Sequence, residues 1–168
     1  NITYEDEDGQ HRHVHQTTYG MSERILGALI SIHNDDNGII MPPEIAPIQI
    51  VIVPILSKTE PEKVTEHCRK VFATLRQAGF RVHLAVRDLR PGNKFYDWEL
   101  RGVPLRIEIG ARDMQNGIIT LARRDTGERS QASNGDILPS IRELLARIQS
   151  KLFERANTLL NTSIHEAS

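Results

Sequence analysis

The hydrophobic pattern of the chain is most continuous at residues 48–55, where β-branched residues fill most positions. Such a run is typical of a strand covered on both faces, because a strand with one wet face alternates apolar and polar residues. Apolar residues then recur at helical spacing between Val64 and Leu75, and residues 81–86 predict a second strand. The order strand, helix, strand predicts two parallel strands joined by a crossover helix.

The next strand is predicted by strict alternation. Leu105, Ile107 and Ile109 share one face of an extended segment, whereas Arg106 and Glu108 share the other. We therefore expect one face of this strand in the core and one polar face that carries both charges.

Further elements are predicted on either side of this central part. Residues 25–32 keep helical spacing after a glycine turn and predict a buried helix, preceded by an extended segment. Residues 118–122 predict another strand, and apolar residues keep helical spacing from 137 to 159. Together these patterns predict an α/β fold that ends in a long helix.

Composition narrows the class of protein. The chain has 168 residues, and 21 Lys and Arg against 22 Asp and Glu give a net charge of −1, which excludes a uniformly basic nucleic-acid coat. The longest uncharged stretch, residues 45–57, is shorter than the roughly 20 apolar residues that span a bilayer, so we expect no membrane protein. A single cysteine, Cys68, lies on an apolar helical face and predicts a buried thiol in a reducing compartment, by default the cytoplasm. Because the sequence opens at Asn1 without an initiator Met, we expect a piece of a longer protein.

Three histidines, His11, His13 and His15, alternate near the start of the chain. An extended strand would place them on one face, but neighbouring positions on that face lie roughly 7 Å apart, too far for all three to reach one ion. We therefore expect no metal site. The sequence also lacks the phosphate-binding loops and hydrolase motifs of the common enzyme classes.

Basic residues are interleaved with Phe95, Tyr96 and Trp98 between positions 87 and 129. This mixture suits single-stranded RNA, because guanidinium groups bind phosphates and base edges while aromatic rings stack on unpaired bases. The same pattern equally fits a solvated face of an α/β domain with Phe95 and Trp98 in the core. The residues alone leave both interpretations open.

Three segments resemble, in the same order, those of prolyl-tRNA synthetases, a family of class II aminoacyl-tRNA synthetases, in their archaeal and eukaryotic-like form. Residues 15–30 are similar to the third signature motif of class II enzymes. Residues 35–47 resemble the passage from the catalytic domain to the anticodon-binding domain, and residues 90–113 resemble the most distinctive segment of the anticodon-binding domain.

This resemblance implies a domain organisation. Residues 1–43 would be the last strand and helix of the catalytic domain, and residues 44–135 the anticodon-binding domain with a five-stranded mixed sheet. Residues 136–168 would form a helix that leads to a truncated C-terminal domain.

The resemblance also implies an activity. Full-length members are homodimers that use ATP and Mg²⁺ to activate proline and attach it to proline tRNA. Arg24 would be the catalytic arginine of the third motif, binding ATP or the adenylate together with Thr18 and Gly20. Because the first two motifs are absent, we expect this segment alone to be inactive, to need no cofactor and to act mainly in anticodon recognition.

The resemblance places the anticodon readers at four positions: Glu99, Arg106, Arg112 and Asp113. Proline anticodons share guanines at their second and third positions, and an arginine with a carboxylate can satisfy the acceptors and donors of one unstacked guanine. The ordinary alternative is that these residues form surface ion pairs. Contacts with tRNA phosphates are predicted for three further arginines: Arg123, Arg124 and Arg129.

The main alternative function is a non-catalytic tRNA- or RNA-binding module that reuses the anticodon-binding domain. The intact segment around Arg24 favours an enzyme, because a binding module has no need of it. A flavodoxin-like enzyme acting on a small molecule is disfavoured, since no phosphate loop follows the strand at residues 48–55.

Overall fold

The computed structural model describes residues 2–56, 61–86 and 91–164. Residues 87–90, the start of the predicted RNA-binding stretch, therefore lie outside the described residues. In the described part the strands are β1 (Thr3–Glu5), β2 (His11–His13), β3 (Asn34–Asp35), β4 (Gly38–Ile39), β5 (Ile50–Ile55), β6 (Val82–Leu84), β7 (Leu105–Gly110), β8 (Ile118–Arg123) and β9 (Arg129–Ser133). The helices are α1 (Arg24–Ile32), α2 (Pro61–Gln77), α3 (Pro91–Leu100), α4 (Ala111–Asn116) and α5 (Ile137–Ser163).

One mixed sheet organises the domain, with the strand order β6-β5-β7-β8-β9. β5 runs parallel to both of its neighbours, whereas β7, β8 and β9 pair antiparallel. The predicted pair of parallel strands around a crossover helix is confirmed, and so is the five-stranded mixed sheet that the resemblance implies. β1–β2 and β3–β4 form two separate antiparallel hairpins.

The central strand β5 is covered on both faces, as its continuous apolar run predicts. Ile50 and Ile52 belong to the main core, which also contains residues of α2 and α5. Val51 and Val53 face a second, smaller cluster together with Trp98 of α3. The sheet therefore carries an apolar layer on each side, and α3 contributes to the smaller one.

Helix α2 places its predicted apolar face in the main core. Val64, Cys68, Val71 and Leu75 are all buried. Burial raises the pKa of the Cys68 thiol to about 12, so the thiol is protonated at neutral pH. This confirms the prediction of a buried thiol and disfavours a nucleophile.

The long final helix α5 is confirmed, and its first half is part of the domain core. The buried residues of α5 are Ile137, Ile141, Leu145, Ile148 and Leu152. Each such side chain contributes about 1.5–3 kcal/mol when it is fully removed from water. The division proposed at residue 136 thus runs through a continuous core, so packing favours assigning the first half of α5 to the central domain.

Helix α1 forms as predicted but is not buried. Its apolar side chains Ile25, Leu26 and Ile30 are 53%, 58% and 50% exposed. Helical spacing of apolar residues predicts an amphipathic helix, but it does not show which part of the protein packs against the apolar face. The described part of the chain does not cover this face, which is why the prediction of burial is wrong.

The β3–β4 hairpin packs tightly against the end of α3. Gly38 has a φ of +118°, and a Cβ atom there would lie 2.9 Å from the Leu100 carbonyl oxygen. Gly102 has a φ of +70°, and a Cβ atom there would lie 2.5 Å from the Ile39 carbonyl oxygen. Only glycine combines this backbone conformation with such a close approach. Ile40 continues from the hairpin into the main core, so no break in packing occurs at the domain boundary proposed at residue 43.

A buried arginine joins this hairpin to the sheet. Arg124 Nη1 and Nη2 donate to the two carboxylate oxygens of Asp35 at 2.7 and 2.6 Å. Nη2 also donates to the Gly38 carbonyl at 3.0 Å, and Nε donates to the Glu99 carbonyl at 2.9 Å. The Arg124 side chain is 4% exposed, and it links segments that are far apart in the sequence. A rigid guanidinium fork suits this two-pronged contact with a carboxylate.

The neighbouring Arg123 is also buried and paired. Its Nε and Nη2 donate to the carboxylate oxygens of Asp125 at 2.9 and 2.7 Å. These hydrogen bonds raise the pKa of Arg123 above its ordinary value. Since Arg123 and Arg124 are held inside the protein by carboxylates, the structure argues against the phosphate contacts expected for them.

Replacement of Arg124 by alanine should lower the free energy of unfolding by on the order of 3 kcal/mol, because it leaves Asp35 and two carbonyl groups without their donor. We place the effect at the lower end for buried pairs because the Asp35 side chain is 38% exposed. Arg101→Ala is the matched control: its ion pair with Asp97 is exposed and should contribute about 0–1 kcal/mol. Urea unfolding measures both variants, and equal losses would contradict the structural role of Arg124.

His33 should make stability depend on pH. Burial, with a smaller contribution from the Arg155 charge, lowers the pKa of His33 in the folded protein below its usual 6.5, and His33 Nδ1 lacks a hydrogen-bond partner among the described residues. The unfolded chain therefore binds a proton first as the pH falls below 6.5, and the folded state loses stability down to the lowered pKa. His33→Leu should flatten this loss between pH 7 and pH 5 in urea unfolding. If the free energy of unfolding changes with pH equally in both proteins, His33 does not contribute to this dependence.

Candidate nucleic-acid interface

Two of the predicted readers, Glu99 and Arg106, come together where α3 lies against the start of β7. Arg106 Nη1 donates to Glu99 Oε1 at 2.8 Å. Arg106 Nε donates to Glu108 Oε1 at 2.9 Å, because alternate residues of a strand share one face. The side chain of Arg106 is 11% exposed. The pair is therefore fixed by the fold and is not a loose surface contact.

An aromatic ring packs against the flat face of the Arg106 guanidinium. The central carbon of the Arg106 guanidinium lies 4.2 Å from the centre of the Phe95 ring. Such a contact is favourable because the ring face carries negative charge density, and it fixes the plane as well as the position of the group. Trp98 is buried nearby in the smaller apolar cluster. The two aromatic residues thus belong to the packing of α3, as the ordinary interpretation of their pattern held.

The polar face of β7 is largely covered. Glu108 is 4% exposed, and its Oε1 also accepts a hydrogen bond from Arg129 Nη2 at 3.2 Å. The Arg129 side chain itself is 57% exposed. Charges of alternating sign therefore run from Glu99 through Arg106 and Glu108 to Arg129, and each buried charge has a partner of opposite sign.

A cavity of about 250 Å³ lies beside this network. Its polar wall includes Glu99 and Arg106, and its apolar wall includes Val51, Val103 and Trp98. Hairpin residues, the end of β8 and the turn after it complete the lining: Asp35, Asn37, Ala122, Arg123, Arg124, Asp125, Thr126 and Gly127. A guanidinium, a carboxylate and an apolar wall around one cavity match the donors, acceptors and flat face of a single unpaired base.

The other two predicted readers, Arg112 and Asp113, lie elsewhere, at the start of α4. Asp113 Oδ2 accepts a hydrogen bond from the Gly110 backbone N–H at 2.9 Å and so caps this helix. Arg112 is exposed. Gly110 lies four positions after Arg106 on the same strand, which corresponds to about 13 Å at the usual rise. The structure thus places the two pairs at opposite ends of β7.

The residues expected at a nucleotide site, Thr18, Gly20 and Arg24, are all exposed. Arg24 is the first residue of α1, and a Cβ atom on Gly20 would meet no atom within 4 Å. Among the described residues these three positions therefore form no enclosed site that fits ATP.

Two further findings concern the part of the chain that the structure describes. There, no group of three or more His, Cys, Asp or Glu side chains is arranged to hold a metal ion, and His11, His13 and His15 are exposed. None of the helices in these ranges combines the length and apolarity needed to span a bilayer.

Sequence reasoning missed several residues of the site. Phe95 and Glu108 hold Arg106. The sequence placed Glu108 on the strand face of Arg106 and Phe95 in the basic and aromatic stretch, but it did not show that either contacts Arg106. Asp35 and Asn37 reach the cavity from a distant hairpin. No local pattern marks them, because their place depends on how the hairpin docks.

Comparison with known proteins agrees with this architecture. Over 164 residues the chain is 55% identical to a proline–tRNA ligase of Pyrococcus abyssi and 52% identical to one of Pyrococcus horikoshii, and over 165 residues it is 48% identical to one of Methanosarcina mazei. Each alignment covers 98% of this chain but 34% of the relative, so the chain spans about a third of their length. The family described as the anticodon binding domain matches residues 49–144, which is more than half of the 168 residues. The chain therefore belongs to the anticodon-binding domain family.

Proposed function

We propose that this chain recognises the anticodon of a proline tRNA, as part of an enzyme that attaches proline to that tRNA. The observation that carries the proposal is Arg106, which Glu99, Glu108 and Phe95 fix at the wall of a base-sized cavity. Similarity to proline–tRNA ligases over nearly the whole chain supports proline tRNA as the partner.

The geometry suggests how one guanine is read. A guanidinium has five N–H donors, and the contacts of Arg106 with Glu99 and Glu108 occupy its Nε and one of its Nη1 donors. The other donors suit the O6 and N7 acceptors of guanine, while the Glu99 carboxylate suits the N1 and N2 donors. Because the two side chains already touch each other, one base can contact both. Adenine carries an amino group in place of O6 and would oppose these donors.

We propose Arg112 and Asp113 as readers of the second guanine. Their distance from Arg106 requires the two bases to be splayed apart, as in other single-stranded RNA complexes. Asp113 also caps α4 through Oδ2, so its role in base recognition would be combined with a structural one.

Among the arginines expected to contact phosphate, we keep only Arg129 in this role. It is more than half exposed and lies next to the recognition network through Glu108. A cation at the rim adds attraction to the RNA backbone without base selectivity. Arg123 and Arg124 are instead assigned to holding the cavity wall.

The activity of a complete enzyme is also part of the proposal. Arg24, with Thr18 and Gly20, would contact ATP or the adenylate once other protein surfaces enclose these exposed residues. A guanidinium can stack on an adenine and pair with a phosphate at the same time. In the complete enzyme, Mg²⁺ would act together with ATP. A cytoplasmic homodimer completes the proposed setting.

Arg106→Ala should weaken binding of an RNA stem-loop carrying the proline anticodon by about 1–3 kcal/mol. The original chain should prefer this RNA over a stem-loop with adenine in place of the guanine that Arg106 reads. The variant should lose this preference, because only the guanine RNA loses hydrogen bonds to Arg106. Fluorescence anisotropy at fixed salt concentration measures all four affinities.

The matched control for this experiment is Arg101→Ala. It removes the same charge from the end of α3, where Arg101 pairs with Asp97 and lies over Trp98. We expect this variant to change the affinities for the guanine and adenine RNAs by the same factor. The anticodon proposal fails for Arg106 if its replacement leaves the preference for guanine intact.

The role of Arg24 can be measured in a chimera in which this chain replaces the matching third of the Pyrococcus abyssi ligase. Arg24→Ala should lower proline-dependent exchange of pyrophosphate into ATP by on the order of 3 kcal/mol in kcat/KM, because a charge that stabilises the reacting phosphates is lost. Anticodon binding should be unchanged. Full exchange activity in the variant would refute the catalytic role proposed for Arg24.

A further inference from the structure

The Asp35–Arg124 ion pair lies in the wall of the candidate base cavity. Both residues line it, together with Asn37 from the same hairpin. Asp35 Oδ1 also accepts a hydrogen bond from the Asn37 backbone N–H at 2.9 Å, so the carboxylate orders the hairpin turn as well as pairing with Arg124. This hairpin lies outside the matched residues 49–144 of the anticodon-binding domain family.

Arg124 also controls the end of the helix that carries Glu99. The Glu99 carbonyl belongs to the last turn of α3, where carbonyl groups have no partner within the helix. It accepts hydrogen bonds from the Gly102 backbone N–H at 2.9 Å and from Arg124 Nε at 2.9 Å. A cation at a helix C-terminus is favourable, and here it fixes the backbone of the residue that touches Arg106.

We propose that the Asp35–Arg124 pair is a positioning unit that sets the guanine specificity of the cavity, which makes the β3–β4 hairpin part of the RNA-reading site. Asp35 holds the guanidinium of Arg124, Arg124 holds the backbone of Glu99, and the Glu99 side chain accepts a hydrogen bond from Arg106. This inference rests on the proposed function of Glu99 and Arg106.

A positioning unit matters for specificity because discrimination between bases requires accurately placed hydrogen-bonding groups. Specificity is a difference between two affinities, and it depends on placing donors and acceptors more accurately than binding alone requires. Loosening the last turn of α3 would let the Glu99 carboxylate adjust to either base. Affinity for RNA through backbone charges would be retained, whereas the preference for guanine would fall.

The test compares Asp35→Asn with Asp97→Asn in the 168-residue chain. Each change removes one negative charge that pairs with an arginine, so the two variants have the same net charge. Asp97 pairs with Arg101 and is not part of the lining of the base cavity. Affinities are measured for the proline anticodon stem-loop and for its adenine-substituted form, at a temperature where circular dichroism shows every variant folded.

We expect Asp35→Asn to reduce the ratio of the adenine to the guanine dissociation constant by at least about fivefold, while Asp97→Asn leaves it unchanged. An unchanged ratio in Asp35→Asn, or an equal loss of affinity for both RNAs, would overturn the proposal. If Asp35→Asn does not fold, Arg124→Lys takes its place, since it keeps the charge but loses the fork that spans Asp35 and Glu99.

Failure of this inference is distinguishable from failure of the proposed function. If the original chain prefers guanine and Arg106→Ala abolishes that preference while Asp35→Asn, or Arg124→Lys in its place, keeps it, only the positioning role is refuted. If the original chain shows no preference for guanine, the proposed function and this inference are refuted together.

Discussion

The need to bury β5 on both faces determines the arrangement of the whole domain. Ile50 and Ile52 are covered by the main core, but Val51 and Val53 require a second apolar layer on the opposite side of the sheet. Trp98 supplies part of that layer, which fixes α3 across this face. Because Glu99 follows Trp98 directly, the packing of a hydrophobic residue also determines the position of the carboxylate that pairs with Arg106.

Charge burial follows from this arrangement. Once α3 covers the face, Arg106 and Glu108 are removed from most of the water, and isolated buried charges would be strongly unfavourable. Pairing within the network offsets that cost, and each pair restricts the geometry of the next. A binding surface of fixed donors and acceptors loses less entropy when a base enters than a set of flexible side chains would.

The β3–β4 hairpin, which lies outside the matched family domain, is also held by a buried ion pair. Two glycines allow its backbone to approach α3, and Arg124 then joins it to the Glu99 carbonyl. The helix α1 lies just before this hairpin and keeps an exposed apolar face. The segment that carries Arg24 is therefore connected in the sequence to a wall of the candidate RNA site.

The sequence determined the elements whose signal is local and repeated. The apolar run of β5, the alternation of β7 and the helical spacing of α2 and α5 all led to correct predictions, since burial of one or both faces imposes a period on neighbouring residues. Motif resemblance added the five-stranded sheet. The hydrophobic pattern did not predict β9, α3 and α4, because these short segments have polar or mixed composition and are stabilised by the elements that they pack against.

The site required tertiary structure for a different reason. The sequence placed Arg106 and Glu108 on one strand face, but it could not show that Phe95 lies over the guanidinium or that Asp35 meets Arg124. Nor could it show that Glu99 and Asp113, the carboxylates proposed to read the anticodon, lie near opposite ends of β7. Local patterns determine which faces are apolar, whereas the partner of a buried charge depends on which distant segments the completed packing brings into contact.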